Sequence, residues 1–313
     1  MNKGIIGIDV AKDWLDLCPA GGTKVERIAN TAEAVEAWLA RRQPTLVAFE
    51  PTGGYERTLR DTLRCRGILF VRVHPNDLVA FRRSRAVKAK TDRIDARLIA
   101  AFAAEELTRR GVKPSILGDD ALRDMAARRR QLVAMLHAER CRLALVRQDA
   151  VQASLASLMT ALQASLAALE AEIARHLAAD PAMTELADLL QSVKGVGPIT
   201  AMTLIADLPE LGHLSAKEIA ALVGLAPQTR DSGKTRGRAA TAHGRPGVRA
   251  VLFNAARAAL RHSPPMTAFY QRLVTQNRRP GKVALTALMR KMLVTLNAIA
   301  RDRQPWHGAQ LLA

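Results

Sequence analysis

Cysteine and long apolar runs are both scarce in this chain. Its three cysteines, Cys18, Cys65 and Cys141, are scattered without CxxC spacing, which excludes a disulfide framework and gives no zinc-ligand pattern. The N-terminus lacks the apolar core of a signal peptide, and no apolar run approaches the ~18 residues that a membrane span needs. We therefore expect a cytoplasmic protein with no membrane partner.

Acidic residues are scarce in one part of the chain, and aromatic residues are scarce throughout. The formal net charge is +18, from 47 basic and 29 acidic residues, and residues 226–313 carry 16 of the basic but 2 of the acidic residues. That segment predicts a polyanionic partner. Because aromatic residues make up 4% of the chain, few side chains can stack on bases, and we expect phosphate contacts to dominate.

The first 116 residues predict an α/β domain with a mixed sheet. Short apolar runs predict strands at residues 4–9, 14–19, 24–28, 46–50 and 68–73. Helices are expected at residues 55–66 and after Asn30, which we interpret as an N-cap with Glu33 at the capping-box position.

Four acidic residues mark the ends of elements in this domain. Asp9 and Glu50 end apolar strands, whereas Asp92 and Asp95 share one face of the first turn of a predicted helix. Acids also favour helix N-termini and strand-end turns for structural reasons alone, and nearby arginines would relieve their repulsion. Together, however, the four carboxylates form an oxygen-rich ligand set that suits Mg²⁺, and two such ions could clamp a phosphodiester.

Residues 117–182 predict long amphipathic helices. Apolar residues recur at three- or four-residue steps from Leu155 to Leu177 without glycine or proline, a pattern typical of a coiled coil or helical hairpin. We favour a contact between subunits of a homo-oligomer, and the alternative is a bundle packed inside one subunit. Asp180 and Pro181 end this region.

The remaining residues, 183–313, predict a helical domain with two glycine-rich connections. The first, residues 192–200, resembles the turn of a helix-hairpin-helix motif, in which backbone N–H groups approach a phosphate; a generic helix connection is the alternative. The second, residues 224–238, contains Ser232 among basic residues. These cations would favour attack of the serine on phosphorus. The alternative is a solvated DNA-binding loop, since no Ser-His-Asp arrangement is evident.

Basic and glycine residues in these connections and in residues 81–90 are the predicted nucleic-acid contacts. They are Arg82, Arg83, Arg85, Lys88, Lys90, Lys194, Gly195, Gly197, Arg230, Lys234, Arg236, Arg238, Arg245 and Arg249.

These motifs, in this order, resemble the RNA-guided transposases of insertion sequences, also called bridge-RNA recombinases, which include Piv-type DNA invertases. The resemblance covers nearly the whole chain. It rests on Ile8-Asp9-Val10-Ala11-Lys12, Phe49-Glu50-Pro51-Thr52-Gly53-Gly54-Tyr55, Lys90-Thr91-Asp92-Arg93-Ile94-Asp95-Ala96, Gly224-Leu225-Ala226-Pro227, Ser232-Gly233-Lys234, Gly244-Arg245-Pro246 and Met289-Arg290-Lys291. Asp231 departs from it, because a neutral or basic residue is expected before the serine.

The resemblance implies a RuvC-like, ribonuclease H-type domain at residues 1–116, a coiled-coil linker at 117–182 and a mainly α-helical domain at 183–313. It implies that Asp9, Glu50, Asp92 and Asp95 hold Mg²⁺ and that Ser232 forms a phosphoserine link to DNA. It further implies double-stranded donor and target DNA, an element-encoded guide RNA, and a dimeric or tetrameric bacterial protein associated with the nucleoid.

Three other functions remain open from the residues alone. A RuvC-like junction nuclease would use the carboxylates but give Ser232 no role. A non-catalytic DNA-bridging protein would leave the four acids unexplained. A sugar or acetate kinase would need a second phosphate loop, which we do not find in the sequence.

Overall fold

The structure is a computed structural model, and it describes residues 4–86, 92–107, 109, 111, 115–227, 240–241 and 243–308, excluding the side chains of residues 92, 93 and 107. The chain forms two compact units, residues 1–115 and 116–313.

The first unit contains a five-stranded mixed sheet with helices. Its elements are β1 Ile5–Val10, β2 Trp14–Pro19, β3 Glu26–Ala29, α1 Ala32–Arg42, β4 Leu46–Phe49, α2 Arg57–Cys65, β5 Phe70–Arg72, α3 Pro75–Ser84 and α4 Asp92–Phe102. The strand order is β3-β2-β1-β4-β5; β2 is antiparallel to both β1 and β3, whereas β1, β4 and β5 are parallel. The predicted mixed α/β sheet is therefore confirmed, and helix α3 was not predicted.

Helix α4 lies directly against β1 because Gly7 has no side chain. A Cβ atom at Gly7 would lie 2.2 Å from the backbone nitrogen of Ala100 and 2.6 Å from the carbonyl oxygen of Ala96. Cys18, the register partner of Gly7 on β2, is buried in a cluster with the same two alanines. Side chains alternate along a strand, so α4 covers the face of the sheet to which residues 7 and 9 belong.

The predicted cap of α1 was wrong by one residue. Thr31 is the N-cap, and its side chain accepts a hydrogen bond from the backbone N–H of Ala34. The side-chain NH2 group of Asn30 donates to the carbonyl oxygens of Ala11 and Tyr55, both at 2.9 Å. Asn30 therefore joins two loops rather than capping a helix.

The second unit is helical throughout its described elements. They are α5 Asp120–Leu143, α6 Asp149–Ala179, α7 Pro181–Gln191, α8 Pro198–Asp207, α9 Ala216–Val223, α10 Pro246–His262, α11 Pro264–Gln271 and α12 Gly281–Asp302, with a π-helical turn at Arg272–Gln276. One apolar core joins α7 to α12 with the start of α5 and the end of α6.

Helices α5 and α6 form an antiparallel hairpin within one chain. Asp119, just before α5, bonds His176 near the end of α6 at 2.9 Å, and Leu132 and Leu136 pack with Leu162 nearer the connecting turn. The predicted long helices are confirmed, and part of their apolar stripe is buried by the hairpin itself. The other face of α6 is exposed, as at Leu158 (45%).

Two described helices, α6 and α12, are long and apolar enough to cross a membrane by length and composition alone. Half of the apolar window of α12 is buried inside the protein, where Leu288, Met292 and Leu296 belong to the core. Such a length and such an apolar composition are equally typical of helices in a protein core.

Candidate active site

Asp9 and Glu50 lie side by side at the carboxyl ends of two parallel strands. Ile8 of β1 is in register with Phe49 of β4, so the next residues along each strand are Asp9 and Glu50. Both belong to the face covered by α4, and both are partly buried. Adjacent strands are about 4.8 Å apart, so the sheet brings these two carboxylates together as predicted.

Helix α4 brings Asp95 towards the same edge. Phe102, its last residue, and the following Ala103 belong to a cluster against which Ile5, at the start of β1, packs, whereas Gly7 lies against Ala96 and Ala100. The helix therefore runs antiparallel to β1, and its first turn lies at the Asp9 end. The backbone of Asp92 begins α4, but its side chain is outside the described set.

Asp95 is paired with an arginine of α3. Arg82 donates from Nη2 to the Asp95 carboxylate, and the two side chains are 22% and 17% exposed. Arg82, predicted to contact nucleic acid, thus neutralises one of the acids at the site.

A further acid, Asp16, lies next to Asp9 and was not predicted as a site residue. Asp16 on β2 is the register partner of Asp9 and is 1% exposed. Residues directly opposite one another on antiparallel strands share a face, so Asp16, Asp9 and Glu50 form a row across β2, β1 and β4, which we call the carboxylate row. Asp16 sits in an apolar run, and only the strand register identifies its neighbour.

The loop after Glu50 is fixed by buried polar contacts. The Glu56 side chain, in a residue that is 9% exposed, accepts hydrogen bonds from the backbone N–H groups of Thr52 (3.2 Å) and Gly54 (2.8 Å). Asn30 ties Tyr55 of this loop to Ala11, two residues beyond Asp9. Glu56 and Asn30 thus position the segments that follow both strand-end carboxylates.

The donor set fits a hard divalent cation in its chemistry, because its members are all carboxylate oxygens. Among the described side chains, which exclude that of Asp92, no three acids, histidines or cysteines are arranged to hold a metal ion. Arg82 also engages Oδ1 of Asp95, so a metal ion held by all four predicted acids would share Asp95 with that ion pair.

Two arginines of the second unit that are predicted to contact phosphate also make internal bonds. Arg245 forms a bidentate ion pair with Glu210, with both N–O distances 2.6 Å. Arg249 donates to the carbonyl oxygens of Val223 and His243. Both arginines fix the backbone around the segment that carries Ser232.

Other predicted nucleic-acid contacts differ in their exposure and in the residues that they touch. Arg85 pairs with Glu105, and Lys194 is exposed in the turn between α7 and α8. Gly195, at φ +98°, packs against the backbone of α10, where a Cβ would lie 2.4 Å from the carbonyl oxygen of Ala255, so packing alone requires this glycine. Ser232, Lys88, Lys90, Arg230, Lys234, Arg236 and Arg238 lie outside the described residues.

A groove of about 970 Å³ opens where the serine segment leaves and re-enters the described chain. Pro227 and Ala240, which flank that segment, line it together with Arg279, which precedes α12, and Lys282 and Arg290 of α12. None of its described lining residues is acidic. Three basic residues and no acidic residue therefore line this groove among the described residues.

A mixed sheet that gathers acids at the carboxyl ends of its parallel strands, covered by a helix that adds another, is consistent with a RuvC-like DEDD nucleic-acid enzyme. A transposase family model of the DEDD, IS110 type matches residues 6–148, and one described as "Transposase IS116/IS110/IS902 family" matches residues 187–271. The chain is an IS110-like DEDD transposase/recombinase.

Two relatives support this assignment. The chain is 26% identical to the pilin gene-inverting proteins of Moraxella bovis and Moraxella lacunata, in alignments that cover 98% of this chain and 98% of each relative. The expected resemblance to insertion-sequence transposases and DNA-inverting proteins is therefore confirmed, as is the prediction that the protein is an enzyme. The family implies DNA substrates and the use of a divalent metal.

Proposed function

We propose that the protein is an RNA-guided DNA recombinase that cuts and rejoins DNA through a phosphoserine link with Mg²⁺ at its DEDD site. The observation that carries the proposal is the convergence of Asp9, Glu50 and the first turn of α4 at one edge of the sheet. A relative named for gene inversion supports recombination that rejoins strands rather than simple cleavage.

Asp9, Glu50, Asp92 and Asp95 would hold the metal, which when bound supplies positive charge beside the scissile phosphate. The protein's own part is to hold these carboxylates in place. Gly7 permits the close approach of α4, and Glu56 and Asn30 fix the loops beyond the two strands.

Ser232 would supply the nucleophile. Its Oγ attacks phosphorus, a P–O bond to the 3′ oxygen of the broken strand is lost, and the serine proton passes to solvent or to that oxygen. The product is a 5′-phosphoserine ester and a free 3′ hydroxyl, so the phosphodiester energy is retained for rejoining. The cationic groove beside Pro227 and Ala240 supports a phosphate-binding role for this region.

Guide RNA would specify donor and target by base pairing, which leaves the protein to bind backbone and shape. The support is compositional: 16 basic residues in the last 88 positions and 4% aromatic residues overall favour phosphate contacts over base stacking. A homo-oligomer, dimeric or tetrameric, is supported by the exposed apolar side chains of α6. A cytoplasmic, nucleoid-associated location follows from the same DNA-directed role.

The test is covalent capture. Full-length protein is incubated with guide RNA, Mg²⁺ and end-labelled cognate DNA, and adducts are resolved on denaturing gels. Ser232→Ala should abolish the adduct, whereas Ser157→Ala, on the exposed surface of α6, should not. Asp9→Asn should abolish it, whereas Asp13→Asn, an exposed acid on the following turn, should not.

Three results would contradict the proposal. A normal adduct yield from Ser232→Ala removes the serine from the reaction. Cleaved DNA without an adduct points to a nuclease that uses water. Full activity without RNA would show that the reaction needs no guide RNA.

A further inference from the structure

An arginine extends the carboxylate row by one strand. Asp16 of β2 is in register with Arg27 of β3 and with Asp9 of β1. Arg27, Asp16 and Asp9 thus lie opposite one another on three adjacent strands and on one face. With strands about 4.8 Å apart, the Cα atoms of Arg27 and Asp9 are separated by roughly 10 Å, which places the Arg27 side chain at the rim of the site.

The Arg27 guanidinium is held in one orientation. Its Nε and Nη2 donate to the two carboxylate oxygens of Asp16 at 2.8 and 2.6 Å, and its Cζ lies 4.8 Å from the centre of the Trp14 ring. The Asp16 side chain is 1% exposed, but that of Arg27 is 47% exposed. A buried carboxylate and an aromatic face therefore preorganise a cation that remains accessible to a ligand.

We propose that Arg27 is a phosphate-binding residue of this site and contacts the DNA backbone beside the acids. Several carboxylates at one sheet edge repel a polyanion, and a fixed guanidinium offsets that repulsion where the strand must approach. Its planar fork matches phosphate oxygens better than an ammonium group does. The Trp14 ring, 38% exposed on the same face, gives the adjoining sugar an apolar surface.

A cross-strand ion pair with a purely structural role makes a different prediction, and DNA binding without chemistry separates the two. Full-length protein is titrated into fluorescent duplex DNA in EDTA, and anisotropy is measured across a range of salt concentrations. Arg27→Gln should weaken binding about 5-fold at ~0.15 M salt and lower the slope of log K against log salt by about 0.9, as expected for one lost phosphate contact.

Arg42→Gln is the matched control. Arg42 is 61% exposed and pairs with Glu26, the residue before Arg27 on β3, but it belongs to α1 rather than to the row. The same loss of one exposed, acid-paired arginine should leave both affinity and slope unchanged. Arg27→Lys should keep the slope, because the charge remains, but recover only part of the affinity, because the fork is lost.

Arg27→Gln leaves Asp16 buried without its cation, so unfolding is a competing explanation for weak binding. The double variant Asp16→Asn/Arg27→Gln removes that buried charge, and it should melt near the wild-type temperature yet still bind DNA about 5-fold more weakly. Wild-type affinity and slope in this folded double variant would overturn the proposal. A loss confined to an RNA probe of the same sequence would also overturn it.

The inference rests on the proposed function in taking DNA as the ligand at the acidic site. The two fail separately, because anisotropy in EDTA requires neither Ser232 nor a metal. If no adduct forms in wild-type protein, the phosphoserine mechanism fails while the contrast between Arg27 and Arg42 still decides this proposal.

Discussion

Replacing Gly7 with alanine should separate the carboxylates without removing any of them. The new Cβ would lie 2.2 Å from the Ala100 nitrogen, whereas non-bonded heavy atoms prefer about 3.5 Å, so α4 must retreat by roughly 1.3 Å. The obstructing atoms are backbone, which cannot rotate away. Overpacking of this kind costs about 1–3 kcal/mol, and a displacement near 1 Å at a catalytic group costs about 100-fold in rate.

The measurement combines adduct formation with urea unfolding. Trp14 and Trp38 lie in the first unit and Trp306 in the second, so a Trp306→Phe background makes fluorescence report the first unit. Gly67→Ala is the matched control: Gly67 has φ +65° and no described atom within 4 Å of a Cβ. Gly67→Ala should lower the free energy of unfolding by about 1–2 kcal/mol, because alanine is strained at this backbone conformation.

Both variants should therefore lose similar stability, but only Gly7→Ala should lose activity, by about 100-fold. Equal activity in the two variants, at temperatures where both are folded, would refute the argument that Gly7 sets the approach of α4 to the site.

Two further predictions concern buried polar contacts. Glu56→Gln should lower the free energy of unfolding by about 1–3 kcal/mol, because two backbone N–H groups lose a charged acceptor. It should also lower adduct yield more than Glu33→Gln, a control on the surface of α1. Equal adduct yields from the two variants would contradict the positioning role of Glu56. Although burial opposes ionisation, hydrogen bonds from the Leu122 N–H and from His176 lower the pKa of Asp119. Because its folded pKa is depressed, the stabilisation from Asp119 should be complete above the ordinary value of about 3.9 and disappear as the pH falls below it. Urea unfolding of Asp119→Ala and wild type should thus differ by about 1 kcal/mol at neutral pH and converge in acid; a pH-independent difference would contradict the assignment.

Much of the architecture follows from local sequence. The strand at residues 14–19 was predicted with its observed bounds, and apolar runs ending in Asp9 and Glu50 located the acidic edge. Helical periodicity located α5 and α6. These predictions succeed because strand and helix periods, and the position of an acid at an element's end, depend on neighbouring residues.

Contacts between distant residues could not be predicted in this way. Asparagine is a preferred N-cap residue, but the side-chain NH2 group of Asn30 donates to the carbonyl oxygens of Ala11 and Tyr55. Charge predicted that Arg82 and Arg245 contact phosphate, but it could not predict that in the folded chain they also pair with Asp95 and Glu210. A cation's sequence position does not reveal which acid the fold will bring beside it.

The sequence by itself determined the class of protein: the order of four acids, a serine in a basic loop and the flanking motifs is specific to the family. The tertiary structure alone decided which groups surround those acids. Strand register placed Asp16 and Arg27 in line with Asp9, and the missing side chain of Gly7 set how closely α4 approaches. The docking of α4 on β1 joins segments that are far apart in the chain. The register of β1, β2 and β3 depends on the turns between these strands as well as on their apolar residues, so neither feature could be predicted from the pattern of a single element.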